Sequence, residues 1–227
     1  MKKLVKLTSL LIILFLFTAA CKKTEEPPAE DNTNSCTALN HGGKQYKTVK
    51  IGDQCWMAEN FEYNAGAGSW EIPFPELATY GWLYNYAAAK RAAPVGWHLP
   101  TLEEWLKLAQ YISNQHGGYE IALEDYEWLS VGKHLKSSED WGASFFNGTD
   151  DYGFRALPAG NRMVDLSLGT ASYDPRKMYA FFWTSTEEAD GDVRMIMLKN
   201  SSESFYTTWI VEERLAGDAV SVRYVKD

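Results

Sequence analysis

The sequence has 227 residues, of which 45% are hydrophobic and 23% charged, so the chain can bury the core of one globular domain. Without the three lysines of residues 1–20, the chain has 19 basic and 30 acidic residues, a net charge of −11. Such a surface repels phosphate backbones, and we predict no nucleic-acid partner. Aromatic residues make up 14% of the chain, which favours a loop-rich fold with a rigid aromatic core.

Residues 1–20 have the pattern of an export signal. A basic start precedes an apolar run over residues 10–17 and small residues up to Ala20, too short for a helix that stays in a membrane. The segment 18–21, TAAC, resembles the lipobox of bacterial lipoproteins, in which the cysteine is diacylated on sulfur and becomes the new N-terminus. We therefore predict a lipoprotein signal peptide over 1–20 and a lipid anchor at Cys21. The alternative is a plain secretory signal cleaved before an incidental cysteine.

Residues 22–35, KKTEEPPAEDNTNS, lack large apolar side chains, which is typical of a solvated tether. We assign 21–40 to a lipidated flexible tether and 41–227 to the folded domain. The acidic residues after Cys21 resemble the surface-export signals of some Bacteroidetes lipoproteins, although any tether needs solubilising charge. We predict a lipid-anchored protein of the bacterial cell envelope, at the outer membrane. Whether the domain faces the periplasm or the cell surface stays open.

The folded part starts with a predicted hairpin. Residues 46–61 predict two strands around Gly52-Asp53. Glycine and proline in 64–75 predict a long surface loop. The apolar run 82–89 predicts a helix that packs nearby.

The stretch GWHLPTLEEWLKL predicts the start of another helix. Thr101 and Glu104 form a capping box directly after Pro100, and apolar residues then recur at helical spacing until Gly117. Residues 133–175 predict long ordered loops. Four short strands that form a meander are predicted at 181–185, 193–198, 205–211 and 219–225.

Two cysteines remain if Cys21 carries lipid. In an oxidising compartment, Cys36 and Cys55 form an even pair, so we predict a disulfide that joins the tether to the first hairpin. The alternative is two buried free thiols.

The sequence offers no catalytic or cofactor motif. The four histidines (His41, His98, His116 and His134) lack metal-ligand spacing, and nucleophile-elbow, P-loop and dinucleotide fingerprints are absent. Two acidic clusters, Asp150-Asp151 and the run with Glu187, Glu188, Asp190 and Asp192, do not follow EF-hand spacing and are interpreted as solvated turns. We predict no catalytic residues, no metal and no cofactor.

Four tryptophans are candidate ligand-binding residues. They lie in or beside glycine-rich segments and could form a stacking platform for sugar rings, with core packing as the alternative for each. They are Trp70, Trp82, Trp141 and Trp209.

Six ordered motifs resemble the Fibrobacter succinogenes major paralogous domain. They are YKTVKIGDQCWMAENF, YGWLYNYAAA, PVGWHLPTLEEWLKL, GFRALPAGNR, FWTSTE and SVRYVKD, over about residues 41–227. The resemblance implies a domain without an established activity, found in secreted and lipid-anchored proteins of Bacteroidetes and Fibrobacteres. Many members carry cysteines at the positions of Ala93 and Tyr224. If these are disulfide partners elsewhere, the two Cα atoms here should lie within about 7 Å.

LPTLEEW is also similar to a helix start in formylglycine-generating enzymes, and SVRYV to the end of their sequence. This more distant resemblance implies an α+β, C-type-lectin-like fold with small antiparallel sheets, one or two helices and long ordered loops. Catalysis does not carry over, since those enzymes use late cysteines to hold copper and this chain has no cysteine after Cys55. The predicted function is non-catalytic binding of a glycan or surface protein. The alternatives are an enzyme related to formylglycine generation and a structural component of a surface assembly.

Overall fold

A computed structural model describes residues 36–122 and 126–227. The predicted signal peptide, the predicted lipid-attachment residue Cys21 and the predicted tether up to residue 35 lie outside the described residues. The segment Cys36–Asp227 is one unit. Within the two described ranges, every helix falls short of the length and hydropathy that a membrane crossing requires.

Short antiparallel strands with a few helices between them make up the fold. The strands are β1 Leu39–His41, β2 Lys44–Tyr46, β3 Thr48–Ile51, β4 Gln54–Met57, β5 Ser69–Glu71, β6 Trp82–Tyr84, β7 Trp97–His98, β8 Tyr119–Ala122, β9 Tyr126–Leu129, β10 Arg162–Asp165, β11 Thr170–Tyr173, β12 Tyr179–Glu187, β13 Val193–Lys199, β14 Phe205–Ile210 and β15 Val225–Lys226. The α-helices are α1 Tyr86–Arg91, α2 Leu102–His116 and α3 Gly132–Leu135, and 3-10 helices span Pro75–Tyr80, Ser144–Phe146 and Glu212–Arg214. Two larger sheets have the strand orders β12-β13-β14-β9-β8 and β3-β4-β15-β7. The remaining pairs are β1-β2, β5-β6 and β10-β11.

The predicted opening hairpin is confirmed. Strands β3 and β4 pair from Thr48 opposite Met57 to Ile51 opposite Gln54, with the Gly52-Asp53 turn between them. Beside this turn, Cys36 and Cys55 form a disulfide whose Cα atoms are 5.4 Å apart. The bond joins the residues before β1 to the middle of β4. Cys36 and Cys55 are 19 residues apart in the sequence, and in the chain-entropy model a disulfide that closes such a loop contributes about 3 kcal/mol of stability.

Helix α2 begins at the predicted capping box. The Thr101 hydroxyl accepts a hydrogen bond from the Glu104 amide at 3.1 Å, and the Glu104 carboxylate accepts one from the Thr101 amide at 2.8 Å. The helix ends at Gly117, whose φ of 74° lies in the left-handed region that favours glycine. Its buried face holds Trp105, Leu108, Ala109 and Ile112. Local capping and periodicity therefore predict both ends of this helix.

His98 connects the start of α2 to the C-terminal residue. Its Nε2 lies 2.8 Å from a Glu104 carboxylate oxygen, and its Nδ1 lies 2.6 Å from an Asp227 carboxylate oxygen. Burial by itself lowers the pKa of His98, but the hydrogen bonds with Asp227 and Glu104 outweigh burial, and the pKa is raised. One carboxylate oxygen of Glu104 thus belongs to the capping box, and the other contacts the His98 imidazole.

A pH dependence of stability follows from this raised pKa. A histidine whose pKa is higher in the folded state than in the unfolded state contributes its full stabilisation at pH values below the unfolded-state pKa. This contribution is lost as the pH rises through the folded-state pKa. Between about pH 6 and about pH 9, wild type should lose more stability than His98→Gln, as measured by urea unfolding. The side chain is partly exposed, so the difference should stay below about 1 kcal/mol. An identical pH dependence of the two proteins would contradict this role.

The apolar run 82–89 is only partly helical, which corrects the prediction. Its first three residues form β6 and pair with β5, and β5 lies inside the segment predicted as loop. Asn85 then caps α1, since its side-chain oxygen accepts a hydrogen bond from the Ala88 amide at 2.9 Å. An apolar run of this length fits a buried strand as well as a buried helix, and here it supplies both.

The second half has more strand than the sequence predicts. The β10-β11 hairpin lies inside 133–175, and the β8-β9 pair was not predicted. The exposed residues of β10 and β11 are polar, with isolated apolar residues among them. These strands therefore lack the regular alternation of apolar and polar residues that predicts a strand. At the end of the chain, the predicted strand 219–225 is reduced to β15, and residues 219–221 make single bridges to Arg162, Tyr84 and Phe182. This segment passes between sheets and cannot pair continuously with one of them.

Among the residues that the structure describes, the buried side chains form three clusters. The first includes Tyr46, Phe61, Tyr84, Trp97, Trp183 and Tyr224. The second includes Trp56, Trp105, Trp128, Trp141, Phe154, Phe182 and Phe205. The third includes Ile72, Leu77, Tyr80, Leu83 and Leu157. Ala93 packs against the cluster that contains Tyr224, so the two positions lie in the same part of the core, while their Cα separation stays a prediction.

A fully buried arginine joins three of the sequence motifs. Arg223 donates through Nε to the Asn60 side-chain oxygen at 2.7 Å. Its Nη atoms donate to the carbonyl oxygens of Met57 at 3.0 Å, Phe154 at 2.6 Å and Arg155 at 2.8 Å. Burial lowers the pKa of Arg223 to about 9, which leaves it charged at neutral pH. The beginning, the middle and the end of the domain therefore meet at one guanidinium group.

Candidate ligand-binding groove around Trp209

Trp209 is the predicted platform residue with the most accessible ring. Its side chain is 46% exposed, on the last long strand, β14. Trp141, in contrast, is fully buried in the second core cluster, and its indole N–H donates to the Ala156 carbonyl at 3.1 Å. A ligand cannot stack on a ring in that position, so the proposed binding role of Trp141 is wrong. The glycines near Trp141 in the sequence predict an exposed loop, but the Trp141 ring packs into the core.

The other two predicted tryptophans do not extend a platform around Trp209. Trp70 packs against the third core cluster, and the Arg162 guanidinium lies 4.0 Å from the centre of its ring. Trp82 packs against the first core cluster. Trp70, Trp82 and Trp141 thus pack against three different core clusters, and among the four predicted tryptophans only Trp209 lines the groove.

Strand pairing sets the orientation of Trp209. It lies directly opposite Arg194 of β13, while its neighbour Ile210 is buried opposite Val193. Because side chains alternate across a strand, Ile210 enters the core and Trp209 points to the outer face. The Arg194 guanidinium lies 5.8 Å from the centre of the Trp209 ring, within cation–π distance. Its Nε donates to the Glu188 carboxylate.

An acidic turn between β12 and β13 forms the wall beside this ring. The Glu188 amide donates to the Asp192 carbonyl at 2.7 Å, and the Gly191 amide donates to the Glu188 carbonyl at 3.0 Å. Gly191 has a φ of 90°, and a Cβ there would lie 2.9 Å from the Glu212 side chain. The Asp192 carboxylate accepts a hydrogen bond from the Glu212 amide at 3.0 Å. Glycine is therefore required, and the turn is held against the chain that follows β14.

Together these residues form an open groove of about 520 Å³. Its lining residues are Glu188, Ala189, Asp190, Asp192, Arg194 and Trp209. The groove thus offers one flat aromatic surface, three carboxylates that accept hydrogen bonds and one guanidinium that donates them. The run interpreted as a solvated turn therefore contributes three of its four acidic residues to the wall of a tryptophan groove. Its spacing alone did not show this, because Trp209 comes from another strand.

The fourth acidic residue of that run lies outside the groove lining. Glu187 accepts hydrogen bonds from Lys90 and from the Tyr86 hydroxyl, each at 2.8 Å. These two hydrogen bonds lower the pKa of Glu187, and the bond from Lys90 has the larger effect. The carboxylate thereby ties helix α1 to the end of β12.

Two histidines that are far apart in sequence meet in the structure. The rings of His116 and His134 stack with centroids 3.7 Å apart. Asp151, from the other acidic cluster, contacts Nδ1 of His134. His41 and His98 lie elsewhere, His41 against Tyr63 and His98 at the start of α2. Because His116 ends α2 and His134 lies in α3, residue spacing gave no signal for this group.

The architecture is a mixed α+β fold made mostly of small antiparallel sheets with few helices. The chain belongs to the Fibrobacter succinogenes major domain family, whose sequence profile matches residues 49–226. None of the curated proteins compared with the chain matches it, and no solved structure matches it either.

Proposed function

We propose that the chain is a lipid-anchored protein of the bacterial cell envelope. The support is in the sequence, where an export-type segment ends directly before Cys21 and an acidic, proline-containing tether follows. Several acyl chains on one residue provide a stable anchor, since each buried CH₂ contributes about 0.8 kcal/mol. The tether then gives the domain reach from the outer membrane.

The proposed architecture of the domain is C-type-lectin-like. Small antiparallel sheets, one long helix that begins at LPTLEEW and extensive ordered loops support it. Such a scaffold places side chains of different loops and strand ends side by side. The groove around Trp209, built from the β12-β13 turn and β14, is an arrangement of this kind.

The function that the geometry supports best is non-catalytic binding of a glycan in the Trp209 groove. One observation carries this proposal: a half-exposed indole lies beside three carboxylates and an arginine. A sugar ring has an apolar face of C–H groups and a rim of hydroxyl groups. The C–H face matches the indole, and the hydroxyl groups donate to carboxylates and accept from the guanidinium.

Substitution of Trp209 tests this function. The wild-type chain should bind a subset of a glycan array, and Trp209→Ala should weaken binding to the same glycans by at least about tenfold, because a central tryptophan commonly dominates a binding site. Phe145→Ala is the matched control, since Phe145 is 79% exposed and does not line the groove. This control should bind like wild type.

Two results would contradict the proposal. If wild-type protein binds no glycan at high protein concentration, glycans are not its ligands. Equal binding by wild type and Trp209→Ala would show that the glycan binds outside the groove. Mass spectrometry of the recovered glycan should show it unmodified, as non-catalytic binding requires.

A further inference from the structure

A histidine pair with a buried, unpartnered nitrogen lies at the end of α2, and the groove residues do not contribute to it. His134 is 5% exposed, and its Nδ1 contacts the Asp151 carboxylate. Its Nε2 is also buried and has no hydrogen-bond partner within the residues that the structure describes. A buried polar atom without a partner destabilises the folded state. This nitrogen therefore needs a compensating interaction.

The contact with Asp151 determines what Nε2 can do. A carboxylate accepts a hydrogen bond, so it holds the proton on Nδ1 of the neutral imidazole. The lone pair of His134 is then on Nε2, the buried atom. A carboxylate that orients a histidine in this way is the usual second-shell partner of a metal-binding imidazole.

The second histidine lies within reach of the first. His116 is exposed, its ring stacks on that of His134, and its Nε2 lies 3.0 Å from the Tyr152 hydroxyl. One potential ligand atom from each of His116, His134 and Asp151 lies within 4.8 Å of the other two. Ligand atoms around a tetrahedral metal are about 3.4 Å apart. Because the two rings stack, the lone pairs of His134 and His116 can meet at one metal ion only after the exposed His116 side chain rotates out of the stack.

We propose that this group is a binding site for a divalent transition metal that prefers imidazole ligands, such as Zn²⁺. The nitrogen ligands are His134, through Nε2, and His116. Asp151 keeps the proton on Nδ1 of His134 and supplies a neighbouring negative charge. Metal binding satisfies the buried Nε2 atom, which simple ring stacking does not. The preference for imidazole separates this metal class from Ca²⁺ and Mg²⁺, which require oxygen ligands.

Zinc titration of the whole mature chain, pretreated with a chelator, tests the proposal. Calorimetry should show one Zn²⁺ per chain, and His116→Ala should weaken binding by at least about tenfold. Asp151→Asn should weaken it as well. His98→Gln is the control, because His98 also contacts carboxylates but lies outside the group.

Substitution of the exposed His116 is the decisive comparison because it spares the core. Absence of Zn²⁺ binding to wild type at about 100 µM metal, far above typical zinc-site affinities, would overturn the proposal. Binding that is equal in wild type and His116→Ala would overturn it too, by placing the metal on other residues. His134→Asn adds a second comparison, with circular dichroism as the check that the buried variant folds. A folded His134→Asn variant that binds like wild type would equally refute the site.

Discussion

Replacement of Arg223 by methionine should lower the free energy of unfolding by at least about 3 kcal/mol. Methionine fills similar space but donates no hydrogen bonds. The carbonyls of Met57, Phe154 and Arg155 and the side chain of Asn60 would then lose their donor in a buried site. Each buried acceptor without a partner costs about 1–3 kcal/mol. Urea unfolding monitored by tryptophan fluorescence measures the change.

Two comparisons make this prediction specific. Arg223→Lys keeps the charge but lacks the planar five-donor group, so most of the loss should persist. Arg176→Met is the control, since Arg176 is exposed and pairs only with the nearby Asp174. Its unfolding midpoint should stay close to that of wild type. An Arg223→Met protein as stable as the control would show that the buried guanidinium does not hold the three motifs together.

Replacement of Cys21 by serine should release the chain from the membrane. A serine side chain cannot form the thioether through which the diacylglyceryl group is attached, so the protein should change from the detergent phase to the aqueous phase in detergent partitioning. The effect should be all or none, because the acyl chains provide the anchor. Mass spectrometry of the N-terminal peptide should show acylation in wild type and none in the variant.

The paired control for this experiment is the Cys36→Ser, Cys55→Ser double variant. It removes the disulfide but leaves residues 18–21 unchanged, so it should still partition with the detergent. Wild-type chain recovered without acyl groups from the periplasm or the medium would contradict the anchor and favour the plain secretory signal.

Locally encoded elements were predictable from the sequence. The capping box of Thr101 and Glu104 and the hairpin around Gly52 depend on residues within a few positions of one another. The disulfide could be predicted by counting cysteines. Strand β6 could not be separated from α1, because the assignment depends on pairing with β5, which local periodicity does not encode.

Buried charges show the clearest limit. Lys136 is 2% exposed, and its ammonium group donates to the carbonyls of Phe146, Lys199 and Ser202. Burial lowers its pKa to about 8. A lysine followed by two serines is typical of a solvated turn, so the sequence pattern indicates the surface. The acceptors come from segments that are 10 to 66 residues away, and only the fold brings them together.

The candidate site was predictable in part. Trp209 and the acidic run were singled out separately, each for its own chemistry. Their meeting in one groove depends on the pairing of β13 with β14 and on the turn after β12. The inward position of Trp141 and the contact of His116 with His134 depend in the same way on packing between distant segments.

We expect the ligand to bind on the Trp209 ring. The chain has nine tryptophans, so ¹⁵N-labelled protein should give nine indole N–H signals, and the signal lost in Trp209→Ala identifies that residue. Titration with a glycan from the array should shift the Trp209 signal most. It should leave the signal of the buried Trp141 unchanged. Bound glycan that shifts other indole signals and not that of Trp209 would show that the ligand binds elsewhere.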